Sequence, residues 1–497
     1  MLALVLMNVL VFTACGRQQD SGYITDESTI PHEVGTLAVL PQETTPIVTV
    51  APPMEPSMQA LLLQDLDYLL HLFEETYDYI NVLYRVNGVH LSTLVENART
   101  VISGYPYSFE RFSLEEIPEL DYQIFWAILL GEVFLHLSDF AHTELPDMQR
   151  FMELSTLHGG GTPRALLVQE TFSNSTSIQF YRDLENVFRG QGQNASAFMG
   201  LIDYYFSQFF AGHSEEHMAM PVNSNAIVET EILEAGRIAY LHIPSFMINV
   251  GAFNMAYRYP LIEFYQEIQG YDHLIIDLRG NIGGFAAFPI MAAMLPLSPD
   301  PDSLPDMPIY VLYTGGGRTF GQLELDNLNL PWLHPEVAPQ DTALVTLQEI
   351  LDSGSLVYLH ENDWQRFTYG YRVNYSALAL RDTYSQFLAL PNTPFHGQIW
   401  LLTCRWNYSG SAIFARYVKY TGFATLVGET VTGGYALANA IPHALPNSGI
   451  VATWDMGFLT DPYGRAFNEH RTQPHYFTRE GMDALETVLA MIEEGLY

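Results

Sequence analysis

The sequence predicts an α/β domain preceded by a helical unit. Three observations carry that expectation. From Arg237 onward, apolar strand patterns alternate with helical ones: RIAYLHIPSF, a crossover YPLIEFYQEIQG, the buried run HLIIDLR, and later GQIWLLT ahead of another helix. Between Met58 and Asp139, the runs MQALLLQDLDYLLHLFEETYDYI, LSTLVENARTVIS and LDYQIFWAILLGEVFLHLSDF place Leu, Phe and Tyr at helical spacing. Residues 16–56 are rich in Ser, Thr, Pro, Asp and Glu, and predict an extended tether.

A chain of 497 residues exceeds one ordinary core, so two or three domains are expected. Residues 57–150 form the helical unit and 151–230 a middle region that matches no known module. Residues 231–497 form the α/β domain, with a long irregular insertion rich in Pro, Asp and Asn at about 297–395. The formal charge is −35, from 56 acidic and 21 basic residues. That makes nucleic acid a poor candidate partner, because phosphate binding needs clustered Lys and Arg. Lys419 is the sole lysine.

The amino terminus is apolar from Met1 to Ala14, too short to span a bilayer, and ends at Cys15. The segment Val11-Phe12-Thr13-Ala14-Cys15 resembles a bacterial lipobox. That reading makes 1–15 a lipoprotein-type signal with lipidation at Cys15, and places the chain on the extracytoplasmic face of the cell membrane. An ordinary cleaved signal or a truncated membrane anchor is the alternative. The other cysteine, Cys404, suggests no disulfide framework.

Chemistry concentrates in LLTCRWNYSGSAIFARYVKYTGFATLVGETVTGG, residues 401–434. It reads as strand, tight turn, helix and strand, with Ser409 where the helix begins. Free N–H groups and the positive dipole end favour an oxyanion beside such a serine. A plain N-cap is the competing reading. The turn Asp277-Leu278-Arg279-Gly280-Asn281-Ile282-Gly283-Gly284 lets backbone N–H groups approach a ligand. It lacks the Gly-Lys-Ser/Thr ending of a phosphate loop, which leaves an oxyanion-type loop or a simple turn. His213-Ser214-Glu215-Glu216-His217 fits an inverted zinc-peptidase pattern. Gly212 and Pro221 bracket it within barely two turns and no third ligand lies nearby, so a polar surface turn is favoured.

Together RIAYLHIPSF, DLRGNIGG, YSGSAIF with TLVGETVTGG, and LPNSGI with DPYGRAFNEHRTQPH resemble, in order, the tail-specific (C-terminal processing) serine peptidases and their tricorn-like relatives. The resemblance implies a crotonase/ClpP-like spiral catalytic domain that hydrolyses peptide bonds in peptides or unfolded proteins without a metal or cofactor. It makes Ser409 the nucleophile, with Gly410 and either Gly283 or Gly284 supplying the oxyanion hole. One branch of the family uses a lysine where this chain has Gly434. Lys419 lies roughly three helical turns, about 15 Å, from Ser409 and cannot substitute. The resemblance then points to the Ser-His-Glu branch. Its histidine corresponds to His142 in LSDFAHT, with one more residue after Asp139 than usual, and its third member to Glu469 in FNEH. Asp139 and Thr143 would shape the histidine turn. Ala412 stands where the family often has Glu, Ser411 is a second hydroxyl, and residues 151–230 carry no PDZ signature. The alternative is a non-catalytic peptide-binding protein on the same fold.

Overall fold

The computed structural model describes residues 56–140, 142–156, 163–210, 228–247, 257–316, 322, 344–431, 433–435 and 440–496. The chain begins with helix α1 (Met58–Thr76), whose start is capped by the Ser57 hydroxyl and whose Leu62, Leu66, Leu69 and Phe73 are buried. Helix α2 (Ile80–Asn87) stops at Gly88 in the left-handed conformation, and α3 (Leu91–Ser103) buries Leu94, Val95, Ala98, Val101 and Ile102. Helix α4 (Tyr122–Glu132) is capped by Asp121 and is apolar on every side, with Ile124 to Leu129 all buried.

A helix apolar all round needs cover on all faces. Helices α7 (Ser175–Phe188) and α8 (Ala195–Phe210) pack against it, and α5 (Met148–Thr156) and α6 (Pro163–Ser173) pack in turn against α7. Trp126 of α4 packs against Phe188 and Phe198, with ring centroids 5.8 and 6.1 Å apart. The helical unit therefore continues to Phe210. The boundary expected at 150 does not separate two bodies, because 151–210 closes the core that 57–150 opens. The zinc-like motif at His213 and His217, and Gly159–Gly161, lie outside the described residues.

The α/β part is built on a six-stranded sheet. Its strands are β1 (Glu229–Glu234), β2 (Ile238–His242), β3 (His273–Asp277), β7 (Gln398–Thr403), β8 (Thr425–Gly428) and β12 (Tyr476–Phe477), in the order β1-β2-β3-β7-β8-β12. β1 and β2 are antiparallel; the others run parallel. Crossovers between parallel strands need helices. Helix α9 (Tyr259–Glu267) joins β2 to β3, and a helical segment over 287–297, α10, follows β3.

All five residues of β3 are buried, because the sheet is covered on both faces. On one face Ile275, Trp400, Leu402 and Val427 meet Val488, Met491 and Ile492 of the C-terminal helix Ala484–Glu494. The main core, continuous with that of the helical unit, covers the other.

Within the span 297–395, the described residues form more regular structure than its Pro- and Asp-rich sequence predicts. β4 (Met307–Thr314) and β6 (Phe367–Tyr375) pair along eight registered positions, and β5 (Val345–Thr346) and β11 (Phe458–Thr460) complete an antiparallel sheet in the order β11-β4-β6-β5. Because β11 comes from the C-terminal part of the chain, this second sheet is integral to the domain. Helices α11 (Leu347–Asp352), α12 (Glu361–Trp364) and α13 (Ala377–Leu388) flank its strands.

The hairpin β9 (Ile441–Ala444) and β10 (Val451–Trp454) belongs to neither sheet, and the helical unit grips it throughout. The fully buried Asp65 accepts the N–H groups of Asn447 and Ser448, each at 2.9 Å. Tyr181 Oη donates to Val451 O and accepts from Val451 N. Past the hairpin, Asp78 Oδ2 accepts from Gly457 N at 2.8 Å, and Tyr79 Oη bonds Gly457 O and Leu459 N. Among the described residues no helix is long and apolar enough to cross a membrane.

The Asp65 contact can be tested directly. Asp65→Ala leaves one buried and one part-buried N–H group without their acceptor and is expected to cost about 1–3 kcal/mol. Urea unfolding should show a lower midpoint at an unchanged slope.

Candidate active site

β7 ends at Thr403, and a turn leads to Ser409 before helix α14 (Gly410–Thr421) returns the chain to β8. Ser409 occupies the N-cap position but its hydroxyl makes no capping bond. Its backbone stands at φ 52°, ψ −124°, a conformation that costs a non-glycine residue about 1–3 kcal/mol. The turn is fastened by the fully buried Asn407, whose amide donates to Leu278 O at 2.5 Å, Asn281 O at 3.2 Å and Ser411 Oγ at 2.9 Å. Ser411, the rival hydroxyl, is thus sealed in the core as an acceptor.

Asn407 also joins the serine turn to the Gly-rich loop after β3. There Asp277 accepts the N–H and guanidinium of Arg279, and Asn281 holds Ile243 O at 2.8 Å. Gly283 stands at φ +100°, and a Cβ on it would lie 2.6 Å from Tyr408 O and 3.0 Å from Ser409 Cβ. Only glycine allows the loop to approach the serine this closely. The Gly283 N–H donates to Asn281 Oδ1 at 2.8 Å, so it is already engaged. Gly284 faces the other way: its neighbours' groups bridge to Phe246, while its own N–H and that of Gly410 donate to no partner among the described residues. Of the two expected alternatives, Gly284 is the one with an available donor beside Gly410.

His142 arrives from the turn after α4 in the left-handed conformation, φ 45°. Thr143 shapes that turn, its hydroxyl donating to Phe140 O at 2.7 Å. Asp139 contributes its carbonyl, which accepts Gly434 N at 3.2 Å. The imidazole Nε2 is 2.8 Å from Ser409 Oγ. Its Nδ1 is 2.5 Å from Oδ2 of Asp455, not of Glu469.

A backbone bridge explains this pairing. Glu144 N donates to Thr453 O at 2.9 Å and Thr453 N to Glu144 O at 3.0 Å, an antiparallel bridge. Two residues back from Glu144 and two on from Thr453, His142 and Asp455 fall opposite each other.

Glu469, expected as the third member, is engaged elsewhere. Its two oxygens take a forked pair from Arg85 of α2, at 2.8 and 2.7 Å, and Arg85 also bonds the buried Asp363 at 2.6 Å. A carboxylate so matched to a guanidinium is held by that pair. The sequence did carry a signal for Asp455: between Glu429 and Asp461 it is the only Asp, Glu, Lys or Arg. A lone carboxylate in a long uncharged stretch that folds into a core needs a specific partner.

The other departures fall into place. Lys419 donates to Gln473 O at 2.6 Å at the far end of α14. Ala412 is fully buried, where a glutamate side chain would need a buried partner. Burial works to keep the His142 imidazole neutral, but the charge and hydrogen bond of Asp455 outweigh it, and the pKa lies above its ordinary value of 6.5.

Residues 237–304 and 341–478 match the model of peptidase family S41, and that region is similar to this family. No curated protein sequence matches. Among solved structures, mature CPAF complexed with lactacystin is 12% identical, covering 88% of this chain and 97% of that one at a TM-score of 0.46. A lipoprotein from Streptococcus agalactiae is 13% identical over 70% of this chain and 97% of its own, at 0.32. The photosystem II D1 C-terminal processing protease is 15% identical over 56% and 55%, at 0.30.

The carboxylate assignment has a titration signature. In the full chain the His142 ring should titrate above 6.5 by NMR. In Asp455→Asn the charge and hydrogen bond that oppose burial are lost, and the titration should move down from its wild-type position. Glu469→Gln should leave it in place.

Proposed function

We propose that the chain hydrolyses peptide bonds through a triad of Ser409, His142 and Asp455. The observation that carries this reading is the unbroken relay from Ser409 Oγ to His142 Nε2 at 2.8 Å and from Nδ1 to Asp455 Oδ2 at 2.5 Å. With Nδ1–H donated to the carboxylate, the lone pair on Nε2 faces the hydroxyl proton. Ser409 Oγ attacks the substrate carbonyl carbon, and His142 takes its proton. The carbonyl π electrons move to the oxygen, and the N–H groups of Gly410 and Gly284 stabilise the resulting anion. Collapse expels the amine, which takes the proton back from His142. Water then repeats the sequence on the acyl-enzyme. Asp455 holds the tautomer and stabilises the imidazolium without itself being protonated. Substrates are peptides or unfolded proteins, and the chemistry needs no metal or cofactor.

The extracytoplasmic, membrane-tethered setting belongs to the same proposal. It rests on the lipobox-like run ending at Cys15 and the polar tract behind it, both outside the described residues. Cys15→Ala should move the protein from the membrane to the soluble fraction; unchanged partitioning would remove the anchor from the reading.

A fluorophosphonate probe tests the chemistry. Wild type should label, and Ser409→Ala and His142→Ala should not. Asp455→Asn should lower kcat/KM on the order of 10⁴-fold. Glu469→Gln should retain activity within about threefold while lowering stability by roughly 1–3 kcal/mol, because it weakens a partly buried ion cluster. Activity should fall as the pH drops through the raised His142 pKa, with the acid limb centred above 6.5. A folded wild-type protein that neither labels nor cleaves peptides would sink the proposal.

A further inference from the structure

Tyr408, the residue before the candidate nucleophile, is not accounted for by the triad. Its ring meets the His142 imidazole edge-on, with centroids 5.4 Å apart and planes at 67°. The ring also rests on Gly434, where an added methyl group would fall 2.2 Å from two ring atoms. Gly434 is in turn tied to the histidine turn through its N–H on Asp139 O, and Gly433 is bridged to Tyr408 itself.

The two hydrogen bonds of the imidazole lie at its two nitrogens. They fix the line through those atoms better than the tilt of the ring about that line. An aromatic ring packed edge-on restrains the tilt, and such pairs contribute beyond simple burial. Groups that must hold a reacting geometry need side chains locked by packing around them.

We infer that Tyr408 is a positioning residue, wedged between the His142 ring and Gly434, that sets the tilt of the imidazole toward Ser409. The inference rests on the reading of Ser409 and His142 as nucleophile and base. Its load falls on the ring: phenylalanine should serve, and an aliphatic or truncated side chain should not.

The experiment compares wild type, Tyr408→Phe, Tyr408→Leu and Tyr408→Ala as full chains. It reads both the fluorophosphonate labelling rate and the NMR signal of the His142 Nδ1–H. Misplacing a catalytic group by about 1 Å can cost 10²-fold. Labelling should therefore slow by about that factor in Tyr408→Leu and Tyr408→Ala, and recover to within a few-fold in Tyr408→Phe. The Nδ1–H signal should broaden in the first two and persist in the third. Leucine keeps most of the volume, so it carries the comparison if alanine unfolds the chain. Wild-type labelling and an unchanged signal in Tyr408→Leu would overturn the inference, as would a Tyr408→Phe as slow as Tyr408→Leu. A wild type that shows the Nδ1–H signal but does not label would remove the peptidase reading instead, and the signal comparison would still decide the role of Tyr408.

Discussion

Two backbone hydrogen bonds between Glu144 and Thr453 set the geometry of the site. They join a turn near the start of the fold to a strand near its end, and they fix the register that puts His142 opposite Asp455. A slip of one residue would turn one partner to the other face. The bridge persists because the helical unit grips the hairpin from several directions, through Asp65, Tyr181, Asp78 and Tyr79. The helical unit thus does more than present a histidine. It also carries the strand that supplies the histidine's carboxylate.

Much of this was legible in the sequence where local rules act. Apolar strands, the crossover helices and the Gly-rich turn were all readable from short patterns. So was the placement of Ser409 at a helix start, although its lack of a capping bond was not. Glu469 shows where such reading stops. It lies at the motif position for a third member, but Arg85, distant in sequence, claims its carboxylate. The positions of Arg85 and Asp455 follow from tertiary packing, which a linear motif does not encode. The second sheet was missed for a related reason. β4, MPIYVLYT, is apolar at nearly every position, so its sequence lacks the alternation that marks an exposed strand, and its flanks are rich in Pro and Asp.

The Gly-rich loop and the serine turn form the other half of the site. Asn407 and Asn281, both fully buried, act as brackets whose amides satisfy backbone carbonyls on either side. Buried polar groups of this kind specify one arrangement when every member is satisfied. They hold Ser409 in its strained backbone conformation and keep Gly284 beside Gly410.

The two halves meet along a seam that runs between Ser409 and His142. Histidine and carboxylate are carried by the helical unit and its captive hairpin, whereas the serine is carried by the large sheet. Any small displacement of one half against the other therefore stretches the hydroxyl–imidazole contact and leaves the imidazole–carboxylate contact intact. On the proposed reading, the serine–histidine contact is therefore the part of the site that reports how the two halves are aligned.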